Sequence, residues 1–144
     1  MLDAQYEADG RERGSIFPAL QELGAFASFS MPEVPEDQRN KGNMNAAPTH
    51  GIGVTPDNKL LFSCSRLNSH VYVYSVPDMK LVADIPVSKD PDWITFTPDS
   101  KFAYVASAGT DSASVIDIAQ KKQVASIPVG KVPKRNVAAM LNLK

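Results

Sequence analysis

The five residues TPDNK at 55–59 return as TPDSK at 97–101, and the 42-residue spacing between them organises the chain. Laid without a gap over residues 91–132, residues 49–90 are identical at 14 of 42 positions. The identities fall on Ile52/Ile94, Thr55/Thr97, Pro56/Pro98, Asp57/Asp99, Lys59/Lys101, Val73/Val115 and the VA.IPV block, so apolar positions and turn residues recur together. Turn chemistry and apolar pattern repeating in step mark a structural repeat rather than a shared composition.

Each unit reads as four short strands. HGIGVT or DWITFT is the first, and the Pro-Asp pair after it makes a turn, Pro fixing φ and Asp bonding its own backbone. LLFSCS or FAYVAS follows, then a turn at RLNS or AGTD. HVYVYSV or SASVIDI has the β-branched and aromatic content that suits a pleated surface, and PDMK or AQKK leads into LVADIPV or QVASIPV. Four strands in about 42 residues, with no 3.6-residue periodicity, match one blade of an all-β propeller. A helix within 48–131 would contradict this reading. Because each blade meets a neighbour on both faces, Ile52, Val54, Val73, Ile85, Ile94, Phe96, Val115 and Ile127 are expected to be buried.

The pattern HGIGVTPDNKLLFS…VYVYS…LVADIPV resembles the YVTN-family propeller repeat, over residues 48–136. The YVTN tetrapeptide itself stands here as FSCS and YVAS, and the WD dipeptide of WD repeats is absent from the expected strand end. The resemblance implies a toroid of about seven blades. It also implies kinship with lactonase-like, surface-layer and haem- or quinone-associated propellers, which are often periplasmic or secreted.

Weaker repeat signals reach both ends. Residues 15–34 align with the outer half of the second blade at an offset of 56, pairing Phe17 with Val73, Leu20 with Val76, Phe26 with Val82 and Phe29 with Ile85. Residues 4–31 thus read as the outer strands of a first blade, with a hairpin over 15–31 turning at Gln21–Gly24 and Pro18 interrupting one strand. Residues 32–47 are an inserted loop, 48–90 the second blade and 91–132 the third, while 133–144 begin a next or closing blade. The whole is one partial propeller domain of about three blades, where closed rings need roughly four to eight. The expectation is either further blades upstream or assembly with copies of itself as a homo-oligomer.

Function is less legible. With 15 Lys plus Arg against 16 Asp plus Glu, the chain lacks the basic excess that phosphate contacts need, so nucleic acid is not an expected partner. No apolar run approaches the roughly 20 residues of a membrane-spanning helix, and MLDAQYEADG does not read as an export signal; localisation stays open. His50 and His70 lack zinc-ligand spacing, and CxxCH and GxSxG are absent, so neither cofactor nor catalytic residue is expected. Cys64, between apolar neighbours, reads as a buried inert thiol, and Trp93 and Tyr104 as inter-blade packing.

His50, Asp92 and Lys134 occupy equivalent repeat positions, each one residue after the Thr or Pro that opens an innermost strand. A repeat brings such positions to one radius near the channel mouth. Together with Arg135, and with Arg66, Asn68 and Asp111 in the turns of the same face, they are the candidate ligand-binding residues. The alternative is structural: His50 bonding the neighbouring blade, Asp92 capping a turn or pairing with Lys134, and Arg135 packing between blades. The expected function is a non-catalytic scaffold binding a protein or small ligand on its loop face; a lactonase-like hydrolase or a redox-associated propeller is the alternative.

Overall fold

The computed structural model describes residues 30–40, 49–139 and 141. The chain divides into two compact units, Met1–Glu33 and Val34–Lys144, and the description below is of the second. The first-blade strands expected over 4–31, including the 15–31 hairpin, lie almost wholly outside the described residues.

Eight strands are present among the described residues, six or seven residues each: β1 (Thr49–Val54), β2 (Leu60–Ser65), β3 (His70–Ser75), β4 (Leu81–Pro86), β5 (Pro91–Phe96), β6 (Phe102–Ser107), β7 (Ser112–Asp117) and β8 (Lys122–Pro128). They form two antiparallel sheets in sequential order, β1 to β4 and β5 to β8. The registers repeat as the sequence does: Phe62 faces Val73 as Tyr104 faces Val115, and the β3–β4 and β7–β8 pairs each shift register at the same repeat position. One three-residue 3-10 turn, Ala108–Thr110, lies in the β6–β7 connection and leaves the strands unbroken.

The TPDNK and TPDSK segments are the β1–β2 and β5–β6 turns. The Thr97 hydroxyl donates to Asp99 Oδ1 at 2.7 Å, Lys101 N donates to the same oxygen at 3.1 Å, and Phe102 N donates to Thr97 Oγ1 at 3.0 Å. The first turn repeats these bonds at 2.6, 3.2 and 3.1 Å through Thr55, Asp57, Lys59 and Leu60. Asn58 and Ser100 carry the positive φ, 59° and 56°, that reverses the chain. Thr and Asp recur because together they satisfy the backbone donors the turn leaves open.

The two sheets stack face to face. Phe62, Cys64, Val71, Val73 and Ile85 of the first pack on Ile94, Ala103, Val105, Ile116 and Ile118 of the second, with Phe62 and Phe96 edge-to-face at 5.2 Å. The approach is closest between β1 and β5. An ideal Cβ at Gly51 would stand 2.6 Å from the Asp92 carbonyl oxygen and 2.8 Å from Trp93 Cα, and one at Gly53 would stand 2.8 Å from the Phe96 ring. At the other edge, a groove of about 410 Å³ lined by Ile85, Val87, Ser88 and Gln123 opens between β4 and the start of β8. Sheets close at the first strand and splayed at the fourth are blades of a partial β-propeller, β1 and β5 innermost.

Burial corrects three of the eight core expectations. Ile85, Val73, Ile94 and Val115 are buried and Phe96 is half-buried, but Ile52, Val54 and Ile127 are exposed. Position in the stack decides this. Ile94 is 5% exposed because the first sheet covers it, whereas Ile52, its repeat equivalent, is 53% exposed; Ile85 is 1% exposed under the second sheet, and its equivalent Ile127 is 46% exposed.

Two stretches outside the sheets were also expected. Within the inserted loop, Glu36–Gln38 form a 3-10 turn, and Asn40 ties the segment to the β2–β3 turn by donating to the Arg66 carbonyl and Ser69 hydroxyl, both at 2.8 Å. Residues 133–139 make no strand ladder. They nonetheless lie along the second sheet, where Asn136 Nδ2 donates to the Tyr104 carbonyl at 2.8 Å and Ala138 N donates to Thr95 Oγ1 at 3.2 Å.

The turn bonds hold the Asp99 carboxyl down, chiefly through the Thr97 hydroxyl, to about 2, and lower Asp57 for the same reason. A depressed folded value means stability that is present above the ordinary carboxyl value of 3.8 and lost as pH falls through about 2. Carboxyl NMR titration should therefore show Asp99 titrating near 2 in the native chain and higher in Thr97→Val, still below the ordinary 3.8 because the Lys101 amide and ammonium remain beside it.

Candidate functional site

Five of the seven predicted residues converge at the starts of β1 and β5. Asp92, the second residue of β5, has its side chain 1% exposed. Arg66 reaches it from the β2–β3 turn, with Nη1 3.4 Å from Oδ1, and Lys134 reaches it from the chain that follows β8, with Nζ 3.1 Å from Oδ2. Neither contact has hydrogen-bonding angles, and both carboxylate oxygens are buried without a hydrogen-bond partner. The ion pairs are therefore electrostatic contacts rather than directed bonds.

His50 crosses from β1 to the same place. Its Nδ1 lies 3.1 Å from the Asp92 carbonyl oxygen, an acceptor, so Nδ1 carries the proton; the Asp92 carboxylate is 4.0 Å away. Trp93 stands edge-on to the His50 ring at 5.9 Å, and the Arg135 guanidinium lies over the same indole at 5.2 Å. The pairings expected of His50 with the neighbouring sheet and of Asp92 with Lys134 are present, whereas Arg135 lies exposed over Trp93 rather than between two sheets. The repeat explains the geometry: each side chain at this position meets the one 42 residues further on, His50 with Asp92 and Asp92 with Lys134.

These contacts gather three permanent cations, Arg66, Lys134 and Arg135, about one carboxylate. The cluster is positive, and its outer members are open: Lys134 and Arg135 are exposed and the His50 side chain is 39% exposed. Such a surface favours a carboxylate or phosphate, with Arg135 offering a planar fork.

Asn68 and Asp111 do not join it. Asn68 accepts from the Ser65 hydroxyl at 2.7 Å and donates to the Tyr72 hydroxyl at 2.9 Å, which holds the β2–β3 turn. Asp111 sits in the left-handed region with φ 52° and accepts from Lys131 Nζ at 2.6 Å and Val132 N at 2.8 Å, fixing the chain after β8. Trp93, read from sequence as packing, is the platform between His50 and Arg135. Cys64 lies beneath the cluster: burial, with a smaller contribution from the Asp92 charge, pushes its thiol up to about 12. Among the described residues no group of His, Cys, Asp or Glu could hold a metal ion, and no helix is long and apolar enough to cross a membrane.

No protein-family model matches the chain, and neither does any curated protein. Solved structures do. Hydrazine synthase of Kuenenia stuttgartiensis is similar at 27% identity and a TM-score of 0.60, over 74% of this chain and 28% of that one. The dihydro-haem d1 dehydrogenase NirN is similar at 21% identity and 0.52, over 58% of this chain and 19% of that one. The periplasmic gluconolactonase PpgL of Pseudomonas aeruginosa is similar at 21% and 0.52, over 60% and 27%. These are β-propeller proteins, and the likeness is one of fold. The chain spans less than a third of the length of each.

Asp92→Ala should destabilise the chain by about 3 kcal/mol, because it leaves Arg66, whose side chain is 16% exposed, without its counter-ion beside a buried gap. Lys134→Ala should stay within about 1 kcal/mol, since that partner is largely in water. Urea unfolding of both variants checks the difference. Cys64 should resist Ellman's reagent in the folded chain and react once guanidinium unfolds it.

Proposed function

We propose that this partial propeller is a ligand-binding scaffold, and that the cluster of His50, Arg66, Asp92, Lys134 and Arg135 binds a small anionic molecule. The observation that supports this most is the imbalance of charge at one spot: a buried carboxylate anchors Arg66 and Lys134, while Arg135, spread over Trp93, keeps its fork exposed. Asp92 is the orienting group, Lys134 and Arg135 the contacts, and His50 the polar wall beside them. A carboxylate or phosphate landing there gains charge-assisted hydrogen bonds.

A lactone-hydrolysing propeller is the second reading, favoured by the likeness to the gluconolactonase PpgL. A redox-associated propeller stands beside it on the likeness to the dihydro-haem d1 dehydrogenase. Both rest on fold, and fold hosts many functions.

Titration calorimetry at low salt with a panel of small carboxylates and phosphates tests the binding role. At least one should bind, more weakly as salt rises, and Arg135→Ala should weaken it by at least about tenfold, or about 1.4 kcal/mol. Lactone turnover that survives Arg135→Ala, or a visible absorbance band after incubation with haem, would favour the other readings instead.

A further inference from the structure

On the reading of the cluster as an anion site, we infer that Asn40, in the inserted loop, is its positioning residue: Asn40 fixes the β2–β3 turn so that Arg66 points at Asp92. The two repeat units part company at this turn. The first carries Arg66, and the same position of the second is Ala108, which brings no charge. They differ again in what precedes their first strands. A short connection, residues 87–90, leads into β5, whereas the inserted loop 32–47 leads towards β1.

The cation and the insertion meet. Asn40 Nδ2 donates to the Arg66 carbonyl and to the Ser69 hydroxyl, each at 2.8 Å, and Asn40 N donates to the Leu67 carbonyl. One asparagine thus binds three of the four residues between β2 and β3. The segment that presents it is itself anchored: Arg39 Nε donates to the carbonyl of Val34 at 3.0 Å, and Val34 is buried. The second unit has no cation to aim and ties its turn to the short connection, with Ala108 N donating to the Asp90 carbonyl at 2.9 Å and Gly109 N to the Lys89 carbonyl at 3.0 Å.

Arg66 needs such a hold because its contact with Asp92 does not supply one. Nη1 lies 3.4 Å from Oδ1 without hydrogen-bonding angles, and an attraction of that kind has little preference for direction. A long side chain with many rotamers is then aimed chiefly by the backbone it leaves from. Other bonds secure the far end of the turn: the Ser69 carbonyl accepts from Val87 N at 2.9 Å, and the Ser69 hydroxyl accepts from Asp90 N at 3.3 Å. Among the described residues, the carbonyl of Arg66 itself is taken by Asn40.

Nitrogen NMR of the arginine side chains tests the positioning without any ligand. The Arg66 guanidinium signals, assigned by their loss in Arg66→Lys, which keeps the charge, should stand apart from those of exposed arginines and move toward them in Asn40→Ala. Calorimetry with inorganic phosphate at low salt tests the consequence for the site. Asn40→Ala should weaken phosphate binding about threefold in the parent chain and have no effect on it in an Arg66→Gln chain, the non-additivity of two groups acting through one contact. A tie that served stability alone would lower the urea midpoint and move neither readout. Arg66 signals that stay in place in Asn40→Ala, or an equal loss of phosphate affinity in both backgrounds, overturn the inference. The guanidinium signals need no phosphate, so they decide the positioning even where the calorimetric panel overturns the anion reading.

Discussion

Everything described here depends on how closely β1 and β5 lie. Two sheets can share a continuous apolar core only if their backbones approach, and at the innermost strands the first sheet supplies Gly51 and Gly53, where a Cβ would press on the Asp92 carbonyl oxygen and the Phe96 ring. With no side chain in the way, Phe62, Cys64, Val73 and Ile85 reach Ile94, Val105 and Ile116, and the sheets splay outward from that line of contact. Close packing of this kind supplies most of what stabilises a small all-β unit.

The same approach builds the candidate site. Asp92 is buried because β5 tucks against β1, and that burial makes the Arg66 and Lys134 charges worth holding nearby. His50 meets the Asp92 carbonyl for the same reason. The anion-binding surface proposed above is thus the polar rim of the inter-sheet interface, and Lys134 and Arg135 belong to it because the chain after β8 takes up, against β5, the place that β5 takes against β1.

Much of this was legible in the letters. Thr, Pro and Asp at one spacing announced the two turns, and the strand order followed from the repeat alone. His50, Asp92 and Lys134 were found as equivalent positions because a repeat maps sequence offset onto spatial adjacency. What a repeat cannot carry is the identity of the neighbour. Ile52 and Ile94 are the same letter in the same pattern, yet one is bare and the other buried. Asn68 and Asp111 show the limit from the polar side: their donors and acceptors are taken up by Tyr72, Ser65, Lys131 and Val132, partners that no short spacing announces for Asp111 and that local turn chemistry claims for Asn68. Arg66 was placed on the correct face, but its aim at Asp92 spans the two units of the repeat and has no local signal.

A pair of glycine substitutions tests the close approach directly. Where space allows, Gly→Ala stabilises by about 0.4–1 kcal/mol through the unfolded chain, and forcing a methyl into a packed contact costs about 1–3 kcal/mol. Gly130 has nothing within 4 Å of its Cβ position, whereas the Gly51 position is hemmed in by the backbone of Asp92 and Trp93. Urea unfolding should therefore show Gly51→Ala destabilised and Gly130→Ala unchanged or slightly stabilised. A Gly51→Ala chain as stable as the parent would mean that β1 and β5 do not touch, and the shared core and the site at its rim would go with that contact.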